Sequence, residues 1–375
     1  MNEYRGFFNI CRRSLQLENV LQTGQAFRWV LDSESGWYTN TLKLYPLTPE
    51  FQIIRLKQND SKLEYHLESS IKLESREIHN WIKQYFRMEV DVEKLCEEQW
   101  LPNDSTFKGK NLRGVRVLQQ EPWETLISFI CSSNNNIPRI SQMCQKLSSH
   151  YGNLLNKHEF SNYYSFPTSE ELCDRASVES LRSLGFGYRA RYIIETAKLL
   201  VQQKKIVGII NDTEYFQYIS NLYKNDYLQI REHLMGYSGV GPKVADCVCL
   251  MGFHMDDIVP IDVHIGRVAK RDYKFVASKK ELAILRDTYS TMKLTKKKIN
   301  YELELIRLMF KELWGPYAGW AEGILFFREI STPTTLAPIS KESKKKRLFA
   351  DTLYDPKNAL KEPNRRQNKY IKTEV

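Results

Sequence analysis

The sequence has no apolar run near the roughly 18 residues a helix needs to cross a bilayer, and its longest candidates, such as VCLMGF (248–253), are the length of core segments. It also lacks a disulfide framework. Seven cysteines (11, 96, 131, 144, 173, 247 and 249) are an odd number scattered along 375 residues, a spread that fits free thiols in a reducing compartment. With 17 glycines and 13 prolines the chain is neither collagen-like nor of low complexity, and it shows no repeat of fixed period. No apolar leader of secretory type opens it. Arg5, Arg12 and Arg13 hint weakly at a mitochondrial presequence, against which stand Glu3 and Glu18. What is present is an ordinary globular composition, 42% hydrophobic and 27% charged, long enough for two or three domains.

The formal charge of +10 is unevenly placed. Residues 331–375 carry +6 of it, concentrated in KESKKKR (341–347) and NRRQNKY (364–370), with little apolar periodicity. Such a segment cannot bury enough surface to offset its ordering entropy, so a disordered basic tail is expected at 331–375. A solvated tail is the plain reading. The KKKR cluster also suits nuclear import or non-specific phosphate contact, and the nucleus, with the mitochondrion second, is the expected compartment.

The first third has the patterns of a sheet. KLEYHLES (62–69) alternates Leu63, Tyr65 and Leu67 against polar neighbours, and TLKL (41–44) and FQIIRL (51–56) are candidate partners across a Pro46–Pro49 turn region. Ile78, Trp81, Ile82, Tyr85 and Phe86 then fall on one helical face. From about residue 113 the pattern is helical: Pro122 opens a helix with Trp123, Leu126, Ile127, Ile130 and Cys131 as its stripe, and PTSEEL (167–172) starts another. The expected class is α+β: an antiparallel-sheet domain at 1–112, a helical body at 113–330, and the tail.

SGVGPKVADC (238–247) carries the chemistry. A helix ends near 234–237, Gly239 and Gly241 turn the chain, and Pro242 starts a second helix whose Val244, Val248 and Met251 face a core. Bare N–H groups at that helix start form an anion site suited to a DNA phosphate, which reads as a helix-hairpin-helix. Lys243 lies in the first turn, where the helix dipole disfavours its protonation and so favours nucleophilic use. Asp262, in VPIDVHIGRVAKRDY (259–273), opens another helix. Taken singly, Lys243 reads first as a phosphate contact or surface lysine, and Asp262 as an N-cap worth about 1 kcal/mol.

Together with GQAFRW (24–29), EPWETLISFICSSNNNIPRI (121–140), LGFGYRARYI (184–193) and WGPYAGWAEGILFF (314–327), these segments resemble the eukaryotic-type 8-oxoguanine DNA glycosylase/lyase family, in the family's order, over roughly residues 18–330. The resemblance implies a TATA-binding-protein-like sheet domain, then two helical subdomains with the active site between them. It implies a bifunctional enzyme that flips 8-oxoguanine, and formamidopyrimidine guanine, out of duplex DNA opposite cytosine. Lys243 would be the nucleophile and Asp262 the stabiliser of sugar charge. Tyr188 would wedge into the vacated stack, Arg139, Arg189 and Asn134 would read the estranged cytosine, Gly239 and Gly241 would contact the backbone, and His264 would contact a phosphate or orient Asp262. The Gly24 carbonyl would accept from the lesion's N7–H, with Phe326 and Cys247 on the two faces of the flipped base.

One position departs from the pattern: where the family has glutamine in AGWAQ, this chain has Glu322. A carboxylate still accepts from the N1–H and N2–H₂ of a guanine-type base. Some helix-hairpin-helix relatives hold a four-cysteine iron–sulfur cluster after the catalytic aspartate, but no cysteine follows Cys249. No metal or cofactor is therefore expected, and a monomer acting on double-stranded DNA is. Two other readings stay open from residues alone: a glycosylase for a different lesion, and a non-catalytic DNA-binding module.

Overall fold

The computed structural model describes residues 2–108, 112–157, 162–291 and 299–331. The basic tail expected at 331–375 lies outside these, apart from Ser331, which closes the last helix.

Five strands, β1 (Asn2–Asn9), β2 (Val30–Leu31), β3 (Tyr38–Lys43), β4 (Phe51–Gln58) and β5 (Lys62–Ser69), form one antiparallel sheet in the order β1-β5-β4-β3-β2. The alternation expected in β5 is realised, with Leu63, Tyr65 and Leu67 buried. Helix Ser75–Tyr85 covers that face through Ile78, Ile82 and Tyr85. Strand β1 escapes the sequence reading because Gly6 interrupts its alternation. Gly6 pairs with Tyr65, and a Cβ there would lie 2.3 Å from the Tyr65 hydroxyl, so the place of an apolar side chain is filled from across the sheet.

The segment QAFRW (25–29) forms no strand; only Val30–Leu31, after it, pairs. Consecutive residues there serve different cores. Phe27 packs in the helical core, and Trp29 packs in the sheet core and donates to the Tyr85 hydroxyl at 2.9 Å. Arg28 between them reaches Glu124 with Nε and Nη2 at 2.8 and 2.7 Å. The segment is a bridge between layers, which a two-residue period cannot satisfy.

The helical body takes in more than residues 113–330. Val90, Val92, Leu95, Trp100 and Phe107 already pack into its core. Two arginines stitch the junction: buried Arg116 donates to the carbonyls of Phe86, Val90 and Ser14 at 2.8, 2.6 and 3.0 Å, and half-buried Arg87 grips Asp256 at 2.6 and 3.0 Å. Helix Pro242–Met251 runs through the middle of the body, buried from Val244 to Met251, with helices Pro122–Ser132 and Tyr227–Met235 against it.

Candidate active site

The hairpin is built as its residues require. Helix Tyr227–Met235 ends, and Gly239 takes φ +77°, where a Cβ would lie 2.6 Å from the Tyr192 ring; both the dihedral and the space demand glycine. Gly241 caps the second helix and Pro242 fills its first position. Nothing stands within 4 Å of where a Gly241 Cβ would be, so the helix start is open to an approaching phosphate.

Lys243 follows, half-buried, with Nζ 4.6 Å from the centroid of Phe129. One turn on, the buried Cys247 thiol faces it; burial pushes that thiol up to about 12, partly opposed by the Lys243 ammonium, so it stays neutral. Asp262 caps helix Val263–Arg271, its Oδ1 accepting from the N–H groups of His264 and Ile265 at 2.8 and 2.9 Å. Both cap bonds fall on one oxygen. Glu322, on helix Ala318–Ser331, is buried beside Asp262 and Lys243; burial first, and the Asp262 charge second, hold its carboxyl well above the ordinary range.

The opposite wall comes from the chain's first third. Gly24 takes φ +94°, and its missing Cβ would lie 3.2 Å from Ile137 Cδ1 and 3.6 Å from Phe326 Cε1. Phe326 is one turn after Glu322 on the same helix face, and the His264 ring meets it edge-on at 6.0 Å. Gly24, Lys243, Cys247, Asp262, His264, Glu322 and Phe326 are thus drawn from four separate segments into one cluster.

A second cluster lies beside it. Asn134 has φ +48° in the turn after helix Pro122–Ser132, and Asn136 caps helix Ile137–Tyr151 by accepting from the Arg139 N–H at 3.0 Å. Arg189 is buried: its Nε donates to the Ser133 carbonyl at 3.1 Å, and its Nη2 to the carbonyls of Ser133 and, at 3.0 Å, Asn134. Its guanidinium also stacks 4.6 Å from the Tyr188 ring. Tyr188 is 48% exposed at the start of helix Arg189–Val207, and its hydroxyl donates to Ser133 at 2.9 Å. Arg139 is exposed and touches the Gly185 carbonyl at 3.2 Å. Tyr192 links the two regions, meeting Tyr188 edge-on at 5.7 Å while filling the space beside Gly239.

Two contacts were not anticipated from sequence. Phe129 lies under Lys243 and Ile137 against Gly24. Phe129 belongs to a helix buried nearly all round, where no single stripe marks one aromatic out. Among the described residues no group of three or more His, Cys, Asp or Glu side chains could hold a metal ion.

A glycine–proline turn that opens a helix with a lysine, close to a capping aspartate at the start of another, fits one class of protein, the helix-hairpin-helix base-excision DNA glycosylases. Two family models divide the chain accordingly: the 8-oxoguanine DNA glycosylase N-terminal domain matches residues 8–126, and the HhH-GPD superfamily base excision DNA repair protein matches 127–292. The N-glycosylase/DNA lyase of Saccharomyces cerevisiae is 48% identical over 341 residues, 90% of each chain, and the N-glycosylase/DNA lyase OGG1 of Arabidopsis thaliana is 31% identical over 86% of this chain and 79% of its own. The protein belongs to the 8-oxoguanine DNA glycosylase/lyase family and is an N-glycosylase/DNA lyase of base excision repair. Among solved structures, MBOgg1 in complex with a low affinity DNA ligand matches with a TM-score of 0.65 at 27% identity, covering 88% of this chain and 96% of that one. The apo-form 8-oxoguanine glycosylase/lyase of Clostridium acetobutylicum has the same fold, with a TM-score of 0.63 at 22% identity over 87% and 97%.

Proposed function

We propose that the protein excises 8-oxoguanine, and formamidopyrimidine guanine, from opposite cytosine by base flipping, and then cuts the strand through a Schiff base on Lys243. The observation that carries this reading is the delivery of Lys243 by the hairpin into the pocket that also holds Asp262. The neutral amine attacks C1′ of the flipped nucleotide, and the N-glycosidic bond breaks as the base leaves with its electron pair. The Asp262 carboxylate offsets the positive charge on the sugar. The ring opens to an imine, a proton leaves C2′, and the 3′ phosphate is eliminated. Water then hydrolyses the imine and restores the lysine.

Opposite-base choice rests on the second cluster. Cytosine offers acceptors at N3 and O2 and a donor at its N4 amino group, matching arginine donors from Arg139 and Arg189 and an acceptor from Asn134. Adenine would leave an arginine unpaired, at a cost of roughly 1–3 kcal/mol. The test is borohydride trapping on an 8-oxoguanine:cytosine duplex beside an 8-oxoguanine:adenine duplex. The wild type is expected to form a covalent adduct that favours cytosine, and Lys243→Gln none. An equal adduct from Lys243→Gln would remove the lysine from the mechanism.

A further inference from the structure

Glu322 is an acid in an unusual place. It is buried at the pocket wall, and its carboxyl has no hydrogen-bond partner among the described residues, which leaves both oxygens to an entering base. The charged and titratable groups facing it are Lys243 and Cys247 on helix Pro242–Met251 and Asp262 at the start of helix Val263–Arg271. Phe326, one turn along, turns the same helix face toward Gly24, so a planar base lying against Phe326 has Glu322 one helical turn away on the same face.

We propose that Glu322 is a proton-dependent selector of the flipped base, tightening the pocket toward guanine-type edges when it is ionised and admitting adenine-type edges when it carries its proton. This rests on the reading of the pocket given above. A guanine-type edge presents O6, N1–H and N2–H₂. A carboxylate accepts from N1–H and N2–H₂, and a carboxylic acid accepts from N1–H while its own O–H donates to O6, so both forms hold it with two bonds. An adenine-type edge presents an N6–H₂ donor beside an N1 acceptor. The acid satisfies both, but the carboxylate makes one bond and turns a second lone pair toward N1. The proton that the acid loses goes to solvent. Burial and the nearby Asp262 charge favour the acid in the free protein.

The 8-oxo derivatives of guanine and adenine share the N7–H and the 8-carbonyl and differ at this edge, so comparing them isolates it. Single-turnover base release is measured from 8-oxoguanine:cytosine and 8-oxoadenine:cytosine duplexes from about pH 6 to about pH 9, for wild type and Glu322→Gln. Cleavage of a preformed abasic site is measured in parallel. In the wild type the guanine-to-adenine rate ratio is expected to rise with pH, by up to tenfold per pH unit once Glu322 titrates. In Glu322→Gln, whose amide donates and accepts at every pH, the ratio is expected to stay flat. Abasic-site cleavage, with no base in the pocket, reads any effect of Glu322 that passes through Lys243. A flat ratio in the wild type, the same rise in Glu322→Gln, or no release of 8-oxoadenine at any pH would overturn the inference. So would a matching shift in abasic-site cleavage, which would mean that Glu322 acts through Lys243. If 8-oxoguanine itself is not released, the functional reading fails first.

Discussion

The pocket around Lys243 and the cluster around Arg189 lie side by side but are prepared differently. The pocket is assembled and unsatisfied: Glu322 is buried with its oxygens free, Asp262 spends one oxygen on its cap, and Lys243 rests over an aromatic face. The cluster is satisfied from within. The Ser133 carbonyl accepts from Tyr188 and twice from Arg189, so Arg189, one of the groups proposed to read cytosine, is already bonded. On the proposed reading, the first region needs only its ligand, whereas the second would exchange internal bonds for DNA bonds. That exchange lowers the net gain from any base that does not replace them, which favours discrimination over raw affinity.

The largest expected effect comes from joining the two regions' fates. Gly239→Ala forces a side chain into φ +77° and against the Tyr192 ring, which also braces Tyr188. Left-handed strain of about 1–2 kcal/mol and overpacking of about 1–3 kcal/mol should both appear in urea denaturation, with weakened binding to a duplex carrying an abasic-site analogue. Wild-type values for both would show that the hairpin and the wedge are independent.

The two arginines sharpen the comparison. Arg189→Ala leaves the Ser133 and Asn134 carbonyls short of donors and should lower folding stability by about 1–3 kcal/mol. Arg139→Ala, exposed, should stay within about 0.5 kcal/mol of wild type. Both should lose preference for cytosine in single-turnover release. Equal stability losses would contradict the claim that only the buried Arg189 contributes to the fold.

Glu322→Gln tests the unsatisfied side through stability. Above the ordinary carboxylate range the unfolded glutamate gives up its proton while the folded one keeps it, so ionisation favours unfolding as pH rises. Relative to wild type, Glu322→Gln should gain stability with increasing pH, by at most about 1.4 kcal/mol per unit, until the folded carboxyl titrates. Parallel stability curves would place Glu322 in contact with water.

The smallest effect is a null result with a position. Exposed Cys11, whose thiol is lowered by its hydrogen bond to Ser14, should be the first cysteine alkylated by iodoacetamide, without loss of activity. Neutral, buried Cys247 should react last. Early loss of activity with modification at Cys247 would mean that the pocket opens more freely than its packing implies.

What was legible in the sequence follows the same division. Elements with one dominant period could be read directly, as in β5 and the helix through Ile78 and Ile82. Local punctuation placed Lys243 and Asp262 at helix starts, because glycine, proline and a capping aspartate act within a few residues. What could not be read was set by distant partners. Gly6 is explained by Tyr65, the absence of a strand at Phe27–Trp29 by two separate cores, and Phe129 by a lysine more than a hundred residues later. The internal bonds of Arg189 likewise depend on a turn that only the fold brings near.

The most direct test of the account is to trap the enzyme on an 8-oxoguanine:cytosine duplex with borohydride, digest the adduct with protease and locate the sugar remnant by mass spectrometry. It should be found on Nζ of Lys243, in the hairpin segment. A remnant on any other lysine, or on the N-terminal amine, would contradict the assignment on which the rest depends.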